Sequence, residues 1–123
     1  MLYSNTLITI ELHESEIPWL KIFTQAPHKE FSDCSSEEKK MIWDALDIIE
    51  KEMLSYFSPA KINIASFGNM LPRVHWHIMA RFENDSYFPE PMWGMKQREG
   101  FELETPMEPF LEKIKRELDS RLD

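Results

Sequence analysis

The stretch from Leu71 to Phe82 constrains this chain more tightly than any other. Read with a period of two, it separates into Val74, Trp76, Ile78, Ala80 and Phe82, all apolar, and Arg73, His75, His77, Met79 and Arg81. Successive side chains of a β-strand point to opposite faces, so the first set is expected against a core and the second on a working surface. Two of the chain's four histidines fall on that second face. Their two-residue spacing would hold the rings roughly 6 to 7 Å apart. Arginines bracket them, in a chain whose formal net charge is -8. A cationic strip inside an acidic chain is expected to receive a small anion.

The rest of the chain supplies elements for that strand to pack with. Thr6 to Leu12 alternates as a half-buried strand, and Pro18 opens a second, Trp19 to Thr24. Ser35-Ser36-Glu37-Glu38 has the form of a capping box, starting a helix that runs to about Phe57, where Ser58-Pro59 stops it. Ile42, Ala45, Leu46, Ile49 and Met53 recur at helical spacing and are its buried stripe, while Trp43 and Leu54 share a separate flank. Lys61 to Phe67 is a third strand, and the Gly68-Asn69 turn joins it as a hairpin to a fourth, Pro72 to Phe82. Residues 83–101 carry Pro89, Pro91 and Gly94 without a period and read as an extended loop. Thr105-Pro106-Met107-Glu108 is expected to cap a last helix, with Phe110, Leu111, Ile114, Leu118 and Leu122 on its apolar stripe. The expectation is an α+β fold with a mainly antiparallel sheet of about five strands, one long central helix and a C-terminal helix.

Length and composition narrow the function. A chain of 123 residues reads as a single domain, 1–123, that buries roughly two-thirds of its unfolded surface. Its 22 acidic against 14 basic residues argue against a nucleic-acid polymer or an anionic membrane as partner. No apolar run approaches the ~20 residues of a membrane span. Met1 to Asn5 shows no basic region followed by an apolar stretch, so no secretory signal is expected. A lone cysteine, Cys34, forms no internal disulfide, which fits a reducing cytoplasm.

An uncharged imidazole is a competent nucleophile toward phosphorus, and an ordinary histidine is largely uncharged near neutral pH. A second histidine one strand-step away is placed to bond a phosphate oxygen or protonate a departing group, and arginines on that face to hold phosphate oxygens. A His-x-His pair is also half of many metal sites. Here His13, His28, Cys34 or an acid would have to complete it, at no recognisable spacing. We therefore expect no metal ligands and no required cofactor.

Arg73-Val74-His75-Trp76-His77-Ile78-Met79 resembles the signature of the histidine triad (HIT) family, three histidines alternating with apolar residues, with arginine in place of the first histidine. The preceding Ile62 to Pro72, the following Arg81 to Asp85 and Phe88 to Gly94, and the upstream Pro18-Trp19 resemble the bacterial branch described as diadenosine tetraphosphate hydrolase-like. The resemblance implies a HIT-like fold and a nucleotide hydrolase or transferase. By it, His75 is the nucleophile, attacking the α-phosphate of a dinucleoside polyphosphate or nucleoside phosphoramidate. His77 contacts the phosphate and assists the leaving group. Asn69 contacts phosphate, and Arg73 either adds a phosphate contact or mis-sets the tautomer of His75. His28 lies near a position where relatives carry a further active-site histidine. The resemblance also implies a homodimer, to which the Trp43 and Leu54 flank is suited. The alternative is a non-catalytic nucleotide-binding or sensing module in which Arg73 marks a degenerate triad.

Overall fold

Alternating Ile8 and Ile10 find their partners in the next alternating run, and the sheet grows outward from that hairpin. The computed structural model describes residues 1–122. It has β1 (Tyr3–Ser4), β2 (Ile8–Leu12), β3 (Trp19–Thr24), α1 (Ser36–Phe57), β4 (Lys61–Ala65), β5 (His75–Arg81) and α2 (Met107–Arg121). The five strands form one antiparallel sheet in the order β1-β2-β3-β5-β4. β5 is thus an inner strand, paired with β4 through the expected hairpin and with β3 across a long connection. The α+β architecture expected from the sequence is the one observed.

One face of the sheet makes the core. Ile8, Ile10, Leu20, Ile22, Ile62, Ile78 and Ala80 pack against Ile42, Ala45, Leu46, Ile49 and Met53 of α1 and against Phe110, Ile114 and Leu118 of α2. Removing the larger of these side chains from water contributes about 1.5–3 kcal/mol each. α1 begins as the capping box requires: the Glu38 amide donates to Ser35 Oγ at 3.0 Å, and the Ser35 amide donates to the Glu38 carboxylate at 2.7 Å. It ends at Ser58, whose left-handed backbone (φ 48°) turns the chain out of the helix before Pro59.

Two expectations change, and one strand is added. β4 and β5 are shorter than the alternation suggests, and Ser66 continues their pairing with its side chain, donating to the His75 carbonyl at 2.7 Å. At α2 the cap is Pro106, with no side-chain hydrogen bond, and Thr105 lies one position outside it. Pro109 in the first turn has no backbone N–H, so one of the free donors that a threonine would cap is missing. β1 is two residues long, too short to show a period.

The other face of β5 is not open along its length. Residues from the segment after β5 fold back over it, and Met79 is buried with Ile17 and Trp19 against Met92 and Phe101. Arg81 is only 2% exposed. Its guanidinium grips Asp85 through two hydrogen bonds of 2.9 and 3.1 Å, and also donates to Asn63 and to the Glu90 carbonyl. Asp85 further accepts the amides of Phe82, Tyr87 and Phe88. Burial alone would raise the Asp85 carboxyl, but Arg81 and these amides hold it below its usual range. The expected loop is therefore a tied segment, and it carries Trp93 to the working end of the sheet.

Candidate active site

At the N-terminal end of β5 the working face comes into being. His75 stands opposite Phe23 and His77 opposite Lys21 in the β3–β5 register. The two imidazole centroids are 5.2 Å apart, inclined at 73°, closer than an ideal strand spacing gives. The His75 ring stacks on Phe23 at 5.3 Å and 17°.

Each ring's Nδ1 has a different partner, and that decides where the protons sit. His75 Nδ1 lies 2.8 Å from the Arg73 carbonyl oxygen. A carbonyl only accepts, so Nδ1 carries a hydrogen, and in the neutral ring Nε2 keeps a free lone pair. His77 Nδ1 instead receives the Trp19 indole N–H at 3.0 Å. An indole N–H only donates, so His77 carries its hydrogen on Nε2. Burial pushes the His77 pKa down to about 4, helped by the neighbouring His75, His13 and Lys21. One imidazole is set up to give an electron pair and the other to give a hydrogen bond.

A cleft of about 410 Å³ opens over both rings, lined also by Phe67, Asn69, Met70 and Trp93. Gly68, at φ +120°, makes the turn that brings Asn69 there, a backbone geometry open to glycine and strained for other residues. Trp93 meets His77 edge-on at 4.9 Å and Phe67 at 4.7 Å.

Of the residues singled out in the sequence, His75, His77 and Asn69 meet in this cleft. Arg73 and His28 do not line it. The Arg73 guanidinium donates to the Thr24 carbonyl and lies over the Phe23 ring, 5.4 Å from its centroid. The expected cationic strip is thus absent as a strip: Arg73 is tied to β3 and Arg81 to Asp85. The contact that residue 73 makes with the His75 ring is through its backbone oxygen, not its side chain. His28 sits 3.0 Å from Glu38 at the start of α1, and its carbonyl accepts the Val74 amide.

Among the described residues, the only group of three metal-type donors within reach of one another is His28, Cys34 and Glu38, within 4.8 Å. It includes neither His75 nor His77, and Glu38 there already serves the capping box and His28. Trp19, Lys21 and Phe23 complete the site face, and nothing local in the sequence marks them as one group. The signal was their own period of two, but only the pairing of β3 with β5 gives it meaning.

The family model described as HIT domain matches residues 6–84. Among solved structures, a histidine triad protein from Bradyrhizobium japonicum is similar at 23% identity and TM-score 0.77, over 94% of this chain and 87% of that one. A histidine triad protein from Sinorhizobium meliloti is similar at 26% identity and TM-score 0.74, over 94% and 86%. One from Marinobacter aquaeolei is similar at 23% identity and TM-score 0.73, over 92% and 88%. A comparison with curated proteins finds no match.

Proposed function

Because the chain belongs to the histidine triad (HIT) family, we propose that it is a nucleotide hydrolase or transferase working through a nucleotidyl-histidine on His75. His75 Nε2 attacks the α-phosphorus of a dinucleoside polyphosphate or nucleoside phosphoramidate. The P–N bond forms as the bond to the leaving group breaks. Water then attacks phosphorus, the electron pair returns to Nε2, and the nucleoside monophosphate is released.

The observation that carries this reading is the hydrogen bond from His75 Nδ1 to the Arg73 carbonyl. It leaves the Nε2 lone pair free, and it stabilises the positive charge that the ring acquires on attack. The bond comes from backbone, so arginine in place of the first triad histidine leaves it intact. That favours an enzyme over a binding module with a degenerate triad. Asn69 and the His77 Nε2–H are donors for the phosphate oxygens. In this reading no metal or other cofactor takes part, and the substrate is a small nucleotide rather than a nucleic-acid polymer.

The proposed setting is the cytoplasm; among the described residues no helix is long and apolar enough to cross a membrane. A homodimer is proposed from Trp43 and Leu54, 49% and 45% exposed on one flank of α1. Steady-state kinetics of two variants test the core of the proposal. His75→Ala is expected to abolish turnover, and His77→Ala to slow it by about 10²-fold or more. Full activity in His75→Ala would overturn the covalent route.

A further inference from the structure

The hydrogen bond that fixes His77 also limits what His77 can do. Its Nδ1 lone pair is occupied by the Trp19 N–H at 3.0 Å, and both side chains are buried. For His77 to become an imidazolium, a second N–H would have to point at the indole N–H, and the existing bond would be lost. Trp19 is not free to turn away. It is wedged against His13 at 4.1 Å, Trp93 at 5.2 Å and His77 at 5.6 Å between centroids. The ionisable groups around the ring are His75 on its own strand, Lys21 across the sheet and His13 beyond β2, and all three disfavour a further positive charge. No carboxylate bonds either nitrogen of His77 among the described residues.

We propose that Trp19 is a positioning residue that fixes His77 as an uncharged Nε2–H donor. The site therefore acts on nucleotides whose leaving group departs as a stable anion, the phosphoanhydrides, in preference to phosphoramidates. The inference rests on His75 being the nucleophile.

The balance of the step shows why. When His75 Nε2 bonds the α-phosphorus, the pair of the bond being broken goes to the leaving atom. In a phosphoanhydride that atom is an oxygen of a phosphate, which carries the charge in water without being protonated. A hydrogen bond from neutral His77 to a phosphate oxygen is sufficient help. In a phosphoramidate the pair goes to nitrogen, and an amine leaves only with a proton delivered to it. An imidazolium delivers that proton readily, whereas a neutral ring would have to become an imidazolate. Lys21, the other proton donor on this face, has its ammonium over Phe23, 5.7 Å from the ring centroid, and does not line the cleft.

The test compares diadenosine tetraphosphate with adenosine 5′-phosphoramidate on the full chain at neutral pH, following both kcat/KM and nucleotide bound to His75. The wild type is expected to prefer the anhydride by about 10²-fold or more, the usual contribution of a positioned acid. Trp19→Phe removes the N–H and keeps an aromatic ring. It is expected to shift the ratio of the two activities toward the phosphoramidate, most strongly below pH 7, whereas a packing defect would depress both alike. Nitrogen-15 spectra of the wild-type imidazoles need no variant and should show His77 protonated at Nε2 and bare at Nδ1 from pH 5.5 to 8. Equal use of both substrates, with adenylyl-His75 formed from each, would overturn the leaving-group inference and leave the nucleophile standing. A protonated His77 Nδ1 would overturn it as well. Absence of nucleotide on His75 with either substrate would remove the premise instead.

Discussion

His75 and His77 carry the same imidazole, yet a carbonyl at Nδ1 of one and an indole N–H at Nδ1 of the other leave opposite protonation at their Nε2 atoms. Sequence alone identified both residues, because strand alternation fixes which face a side chain takes. It did not identify their roles from periodicity, since a tautomer depends on partners that periodicity does not name. Arg73 shows the same limit. Its face was legible, but its guanidinium is engaged by Thr24 rather than turned to the cleft. A charged donor to a carbonyl contributes about 1.5–3 kcal/mol. Arg73→Ala is therefore expected to lower unfolding stability by that order in denaturant titration, with kcat for an anhydride changed less than threefold. A loss of kcat approaching that of His75→Ala would show that the side chain, not the backbone oxygen, serves the chemistry.

At the scale of elements, the best-read piece is α1, whose capping box and apolar stripe are local signals that tertiary structure had no reason to override. The worst-read is residues 83–101, where nothing is periodic. Order there comes from a buried ion pair, from hydrogen bonds of Ser86 to Glu16 and of Arg98 to the Asp85 and Phe88 carbonyls, and from apolar contacts of Met92 and Phe101. Asp85 follows Arg81 by four residues, but only the chain reversal after β5 brings them together. Breaking such a pair from one side leaves an uncompensated buried charge. Arg81→Ala should cost about 3–5 kcal/mol of stability by chemical denaturation. Because Trp93 is carried on the segment that this pair anchors, its fluorescence should redden in the folded variant. Asp85 has its pKa depressed by folding, so its contribution is present above the ordinary carboxyl range and lost as pH falls through the folded value. Unchanged stability in Arg81→Ala would mean that the segment is held by its apolar contacts and its other hydrogen bonds.

The whole molecule couples the site to the fold through His77. Its folded pKa of about 4 lies below the unfolded value of about 6.5. Between these two values the unfolded chain binds the extra proton, so stability is complete above pH 6.5 and declines as pH falls toward 4. Replacing His77 by glutamine should flatten that part of the pH–stability curve; an unaltered slope would assign it to other groups. Assembly belongs to this scale too. Trp43→Glu sets like charges against each other across a two-fold contact, and light scattering should report a dimer for the wild type and a monomer for the variant. A wild-type monomer at micromolar concentration would refute the dimer. The central claim, however, is chemical, and rapid quenching of the enzyme with a dinucleoside polyphosphate tests it most directly. Peptide mass spectrometry of the quenched protein is predicted to find one nucleoside monophosphate on the His75 imidazole and none in His75→Ala; turnover with that imidazole unmodified throughout would contradict it.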